Sequence, residues 1–290
     1  MRQVAQLGTD AVSSILIRPT RGWTSLQLGE VWRHRELLYF LMWRDVKVRY
    51  KQTALGVLWA ILQPLMTMVV FTIFFDRLAN VGSDGLPYPL FSFAGLLPWN
   101  FFAQAVGQSS ASLVGSANLI SKVYFPRLII PVSSVLVGFL DFGVGCVFLL
   151  GMMAYYGVWP SIGTILLVPL FVLLAAGAAL GVGLWLSALH VKYRDVRYVV
   201  PFFIQLWLFV TPVIYPASRV TGKLEAAGLP VWIYGLNPVA GAVEGFRWAT
   251  VHSAAPPASI VLASVCVSLV LIVTGAFYFR RTERTFADIV

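Results

Sequence analysis

Charge is what this sequence is short of. Only 11% of its 290 residues are Asp, Glu, Lys or Arg, and the stretch between Asp141 and Lys192 contains none. A soluble domain of this size needs charge over most of its surface, so a composition that is 59% hydrophobic, with a mean hydropathy of +0.81, excludes one. Cysteine is scarce as well. Cys146 and Cys266 sit in separate apolar runs without the paired spacing of a zinc or redox site, and are read as packing residues. The three histidines, His34, His190 and His252, fall in an N-terminal segment, a helix end and a loop, too scattered to meet as metal ligands or as a catalytic pair. They read as polar interface residues, and no metal site is expected. A G-x-x-x-x-G-K-[ST] loop is missing: Gly222-Lys223-Leu224 lacks both the upstream glycine and the hydroxyl that would bind magnesium. The chain is therefore not expected to hydrolyse nucleotide, to carry catalytic residues or to hold a cofactor. The clustered acidic or His residues that a membrane glycosyltransferase or lipid phosphatase needs at one interface are not found. Nor is a secretory signal peptide, because the first 36 residues are polar and the apolar run Leu37–Trp43 is too short.

What the chain does have is a series of apolar runs long enough to cross about 30 Å of hydrocarbon. They lie at Val57–Phe75, Pro89–Val114, Leu128–Tyr156, Ser161–Leu189, Tyr198–Tyr215 and Ser259–Phe279. The expected fold is an all-α integral membrane protein with six transmembrane helices. Gly157-Val158-Trp159-Pro160-Ser161 divides the uncharged stretch, so the third and fourth helices form a hairpin. Lys and Arg collect on the cytoplasmic flanks of spanning helices. Seventeen of the twenty-one fall on one side of this arrangement and four, Arg77, Arg219, Lys223 and Arg247, on the other. Both termini are accordingly expected in the cytoplasm. The net charge of +9 does not call for nucleic acid, because segregation by membrane side is explained by insertion and anionic lipid.

Residues 1–54 read as a cytoplasmic N-terminal segment with an amphipathic interface helix, and 55–290 as the six-helix domain. Glu30–Lys51 mixes Leu37, Leu38, Phe40, Leu41, Met42 and Trp43 with Arg33, Arg35, Arg44, Lys47, Arg49 and Lys51, as a helix lying in a membrane interface does. Asp141 is the one carboxylate well inside a span, where a charge costs about 2.5–3.5 kcal/mol on insertion scales. It reads as structural or pore-lining rather than proton-coupling, since a relay needs a chain of such groups. The region 216–252 is rich in Gly and Pro and too broken for a full span, which predicts short re-entrant helices before the last span. Within it Glu244 and Arg247 have the spacing of a pair on one helix. Gly177-x-x-x-Gly181 is read as a small-residue face for close packing inside the subunit.

Three segments carry a family resemblance. The first is Arg44-Asp45-Val46-Lys47-Val48-Arg49-Tyr50-Lys51-Gln52-Thr53 with Leu55-Gly56, Trp59 and Gln63-Pro64. The second is Asn118-Leu119-Ile120-Ser121-Lys122-Val123-Tyr124-Phe125-Pro126-Arg127, and the third Tyr193-Arg194-Asp195-Val196, with fainter support from Thr211–Tyr215 and Leu236-Asn237-Pro238. From about Leu37 to its end the chain resembles the ABC-2 type permeases that export lipid-linked polysaccharide such as O-antigen, capsule or teichoic acid.

The resemblance implies a bacterial inner-membrane transport subunit working as a homodimer with two copies of an ABC ATPase, which binds ATP and Mg. It implies that the cytoplasmic segment 115–127 docks on the ATPase, through Asn118, Leu119, Ile120, Lys122, Tyr124 and Phe125. Arg44, Lys47, Arg49 and Lys51 become candidates for the pyrophosphate of an undecaprenyl-linked glycan, because Arg pairs bidentately with phosphate and Lys adds a point charge. A topology anchor of positive charge would look the same. The first and fifth helices are expected to line the path, which nominates Trp59, Phe71, Phe202 and Trp207, and the re-entrant region to gate the outer exit, which nominates Tyr215, Trp232, Asn237, Glu244 and Arg247. One subunit encloses little volume, so the conduit is expected between two copies around a twofold axis. The alternatives are an ABC-2 permease for a drug or small lipid, and an ion-coupled flippase.

Overall fold

The computed structural model describes residues 28–51, 56–283 and 286, with Leu28 and Val57 placed by backbone alone. The earlier N-terminal charges, the motif positions Gln52, Thr53 and Leu55, and Arg284 lie outside the described residues. Among the described residues every regular element is helical. Helices α1 (Leu28–Arg33) and α2 (Arg35–Tyr50) meet at His34, whose ring N–H reaches the Glu30 carbonyl at 2.8 Å. The α2 helix lies along α6 (Ile129–Tyr156), burying Leu41 and leaving Phe40, Trp43 and Val48 exposed. After a 3-10 turn at Gly56–Leu58, α3 (Trp59–Phe71) continues into a π-helical stretch, Thr72–Leu78. Pro64 removes a helical N–H from α3, and the Thr67 and Thr72 hydroxyls back-bond to the carbonyls of Gln63 and Met68, as irregular membrane helices allow.

Among the described residues, four helical stretches are long and apolar enough to cross a membrane: Trp59–Leu78, Ile129–Tyr156, Ile162–Lys192 and Ala258–Thr282. The third combines α7 (Ile162–Ile165) with α8 (Val168–Lys192), and the fourth is α12 (Ala258–Thr282). Helix α4 (Tyr88–Gly115) has ample length at 28 residues but carries Asn100, Gln104, Gln108 and several serines. Its position explains that tolerance. It is the axis of the bundle, with α3, α6, α8, α9 (Val196–Val210) and α11 (Ala240–Val251) packed around it, so protein rather than lipid covers most of its surface. At Gly157 (φ 69°) the chain turns out of α6 toward α7 and α8, ending α6 with a left-handed cap.

Helix α9 stops at Val210, five residues before the end of the apolar run that sequence suggests. Thr211 is extended (φ −91°, ψ 144°) because it precedes Pro212, whose ring disfavours helical backbone before it. Beyond it come α10 (Ala217–Ala226), a 3-10 turn at Val231–Leu236, and α11, which ends at His252 with a positive φ of 55°. Helices α8 and α12 approach each other closely. A Cβ on Gly181 would come within 2.8 Å of the Ile272 nitrogen, and one on Gly275 within 2.8 Å of the Gly181 carbonyl, so only glycine permits this approach.

The two ends of the bundle are distinct. At one end, Leu41 of α2, Leu113 of α4, Ile120 of α5 (Ala117–Lys122), Phe125, Ile129 of α6, Val191 of α8 and Phe279 and Phe286 of the C-terminal region form a single apolar cluster. Helices α2 and α12 therefore share one apolar cluster with α5. At the other end α10, the 3-10 turn and α11 close over α4, α8 and α12.

Candidate functional site

At the α5 end the chain builds a knob on a packed base. Helix α4 breaks at Ser116, α5 runs for six residues, and Val123 turns extended (φ −130°, ψ 134°) ahead of Pro126. Ile120 and Phe125 are buried in the cluster just described, whereas Asn118, Lys122 and Val123 are exposed and Leu119 is half-buried. Between the two anchors Tyr124 stands 89% exposed. A large aromatic held in the open by a buried Phe beside it suits insertion into a groove of another protein.

The basic residues of α2 divide into two sets. Arg44 pairs with its neighbour Asp45 at 2.8 Å, Lys47 lies 5.3 Å from the Trp43 ring centre, and Phe40, Trp43, Arg44, Lys47, Val48 and Lys51 line one open groove. Arg49 points elsewhere. Its guanidinium forms an ion pair with Asp141, joining α2 to the middle of α6. The Asp141 side chain is 12% exposed, and it shares a cavity of about 20 Å³ with Gln63, Asn100 and Gln104. Among the described residues no donor reaches its Oδ1. The ion pair accounts for a carboxylate at that depth, since the charges of a pair offset each other's cost of leaving water.

Helices α3 and α9 present open apolar faces. Trp59, Met66 and Val70 of α3, Phe74 of the π-helical stretch that follows it, and Tyr198, Phe202, Phe203, Leu206 and Phe209 of α9 are exposed. Of the four residues nominated for the path, Trp59 and Phe202 lie on these open faces. Phe71 is only 7% exposed and packs edge-on to Phe75 at 5.5 Å, while Trp207 is half-buried against Phe102.

The α11 end is dominated by the broken end of α9. Fifteen residues rise about 22 Å, short of the hydrocarbon thickness, so the carbonyls on both sides of the break need partners from within the protein. They have them. Thr211 Oγ1 donates to the Trp207 carbonyl at 2.9 Å, Tyr215 to that of Phe209 at 3.0 Å, Tyr234 to that of Val210 at 3.3 Å, and Tyr88 to that of Ile214 at 2.8 Å. Arg247, fully buried, donates to the carbonyls of Pro212 (2.7 Å), Val213 (3.2 Å) and Phe91 (3.2 Å) and to Glu244 (2.8 Å), and Glu244 in turn accepts the Ala217 N–H at 3.1 Å. The guanidinium also lies over the Phe91 ring at 3.8 Å, and a side chain on Gly95 would collide with it. Asn237 accepts from Trp207 Nε1 and donates to Thr211 Oγ1, both at 3.0 Å, and its Oδ1 also accepts the Val239 N–H. Burial, with the Tyr215 hydroxyl beside it, pushes the Tyr234 phenol above its ordinary range, so it remains a neutral donor. Trp232 is exposed and outside this network.

Residues 36–251 match the model of the ABC-2 type transporter family. The chain belongs to the ABC-2 type transporter family. It is 30% identical over 260 residues to the O-antigen export system permease protein RfbA of Myxococcus xanthus, covering 89% of this chain and 97% of that protein. Two RfbA permeases of Klebsiella pneumoniae are 27% and 28% identical over 255 residues, 88% of this chain and 95% of theirs. An ABC-2 transporter with these apolar helices is a multi-pass membrane protein.

Several residues of this ABC-2 transporter escape inspection of its sequence. Tyr88 and Tyr234 stabilise the end of α9 across 126 and 24 residues of chain, and no local pattern announces them. His190, read as an interface residue, is buried in α8, where Nδ1 meets the Ser110 carbonyl at 3.1 Å. Thr211-Pro212 was the one available signal that α9 ends early, because it marks a backbone that leaves the helix.

Proposed function

We propose that this chain is the permease subunit of an ATP-driven exporter that moves a lipid-linked polysaccharide of the O-antigen class out of the cytoplasm across a bacterial inner membrane. The observation that carries the reading is likeness to O-antigen permeases over 97% and 95% of their lengths. In this reading α4 and α9 join the four long apolar stretches to make six crossings. The termini and the α5 end are cytoplasmic, which agrees with the distribution of Lys and Arg.

The energy comes from a separate ATPase subunit that binds ATP and Mg, and this chain contributes no catalysis. Tyr124, with Asn118 and Lys122 around it and Ile120 and Phe125 beneath, docks on that subunit. Two permeases and two ATPases form the complex. The open faces of α3 and α9 turn toward the second copy, and Trp59, Phe74, Phe202 and Phe209 offer flat rings past which sugars slide without directional bonds that would trap them. Such large apolar faces on adjacent helices mark a surface made for a partner or a conduit. The groove of Arg44, Lys47 and Lys51 beside Trp43 receives the pyrophosphate of the lipid carrier, with undecaprenyl the natural class of chain for the bilayer. Arg49, engaged by Asp141, fixes the position of that groove. The network at the α11 end forms the outer gate, with Tyr215, Asn237, Glu244 and Arg247 in it and Trp232 at its rim.

The test is deletion of the chain with complementation, locating lipid-linked polysaccharide on either face of the membrane and assaying for an ATPase that purifies with the tagged permease. Polymer trapped on the cytoplasmic face, with an ATPase bound, is the expected result. Normal surface polysaccharide with an ATPase bound would assign another cargo, and no bound ATPase would favour an ion-coupled flippase.

A further inference from the structure

The last turn of α12 is tied to the loop that carries Tyr124. Glu283 Oε1 accepts the backbone N–H of Arg127 at 3.2 Å, its Oε2 accepts from Arg280 at 2.5 Å, and its own carbonyl accepts from the Arg127 guanidinium. The Arg280 contact is an ordinary pair of residues three apart on one helix. The Arg127 contacts are not local: they span 156 residues and close the loop against the C-terminal helix. The Glu283 side chain is 13% exposed, so these bonds are made with little water nearby and weigh more than surface pairs do. Beneath them Phe279 and Phe286 meet edge-on at 5.3 Å, both fully buried in the cluster that also holds Ile120 and Phe125. Arg127 lies three residues from Tyr124, and α12 in turn is pressed against α8 where Gly181 and Gly275 meet.

We infer that Glu283 is a positioning residue for energy coupling: it fastens the loop bearing Tyr124 to α12, so that movement of an ATPase subunit is passed to α12 and α8 as well as to α4 and α6 on either side of the loop. This rests on the reading of Tyr124 as the ATPase contact. Without the carboxylate only the bond from the Arg127 guanidinium to the main-chain carbonyl of residue 283 remains, and a push on Tyr124 is absorbed largely by the loop itself. The ATPase still binds, because Tyr124, Lys122 and Asn118 are untouched, but hydrolysis and transport separate.

The experiment uses the full permease–ATPase complex in reconstituted vesicles, measuring ATP hydrolysed and lipid-linked glycan moved in the same sample, normalised to assembled complex. Glu283→Ala is expected to retain the ATPase at wild-type stoichiometry while the ATP consumed per glycan rises about fivefold, the low end of typical coupling between sites. Glu283→Gln, whose amide oxygen still accepts the Arg127 N–H, is expected to rise about half as far, and it decides the matter if the alanine form does not reach the membrane. A wild-type ratio in both variants, or in Glu283→Gln alone when only that form assembles, overturns the proposal. Tyr124→Ala separates this from the underlying reading: if it too leaves ATPase binding and the ratio unchanged, the assignment of the ATPase contact has failed, and Glu283 with it.

Discussion

At the α5 end of the bundle, apolar side chains from α2, α4, α5, α6, α8 and α12 close over one another, whereas at the α11 end the largest fully buried side chain is an arginine. The first end is held by non-directional contact, with the Arg280–Glu283 ion pair and the Arg127–Glu283 hydrogen bonds along its rim. The second is held by aimed bonds to carbonyls that the end of α9 leaves behind. Apolar contact weakens gradually as surfaces shift. A buried hydrogen bond is either made or leaves its acceptor stranded at the full cost of desolvation. The α5 end is therefore suited to pass on small displacements, and the α11 end to occupy one arrangement until several bonds change together.

Breaking the polar end gives the largest effect. Arg247→Leu leaves the Glu244 carboxylate buried without its cation and strands the carbonyls of Pro212, Val213 and Phe91, and the expected cost is about 3–5 kcal/mol. It should appear as loss of monodisperse protein in detergent and a steep fall in Tm. The double change Glu244→Gln with Arg247→Met removes the unpaired charge and should recover part of the loss. A double variant no better than the single would mean that the carbonyl bonds, rather than the charge pair, dominate this end.

The two ends also differ in how far the sequence reveals them. The six apolar runs each contain a helix, because length and hydropathy are local properties. The Glu244–Arg247 pair is legible for the same reason, being one turn of α11. The early end of α9 could be read from Thr211-Pro212, yet the identity of its bonding partners could not. Tyr88 and Ile214 are 126 residues apart, and Arg49 and Asp141 are 92, so only the packing of α4 and α6 brings them together. Helix rotation is equally hidden. Phe71 and Phe74 are both aromatic and three apart, and only the fold turns one inward and the other out. Tyr124 and Phe125 are neighbours with opposite roles, knob and anchor, which composition alone cannot assign.

The apolar end should respond in proportion to the volume removed. Ile120→Val is expected to cost about 0.5–1.5 kcal/mol and Ile120→Ala about 2–4 kcal/mol, read as a stepwise fall in Tm with insertion preserved. On the proposed docking through Tyr124, retention of an ATPase subunit should fall in the same order, since Ile120 supports that segment. A sudden loss at the valine step would contradict the graded behaviour assigned to this end and make it as all-or-none as the other.

The smallest effect should come from the edge of the polar network. Tyr234 lies 3.3 Å from the Val210 carbonyl and 3.4 Å from the Tyr215 hydroxyl, and one phenolic proton cannot serve both, while Tyr215 donates to Phe209 at 3.0 Å. Tyr234→Phe should cost about 0.5–1 kcal/mol, less than a typical buried bond because Val210 is exposed and its carbonyl can find another donor. A phenol held protonated by burial contributes its stability below the ordinary tyrosine value near 10, and loses it as the pH rises from there through the raised value. The difference in Tm between wild type and Tyr234→Phe should thus stay flat from about pH 6 to 9. Comparing Tyr234→Phe, Tyr215→Phe and the double variant then asks whether the network acts as one unit. Costs that add within about 0.3–0.5 kcal/mol would make these two independent bonds at the rim of the Arg247 clamp. A larger interaction term would carry the cooperative behaviour of the polar end out to its exposed edge, where the open face of α9 begins.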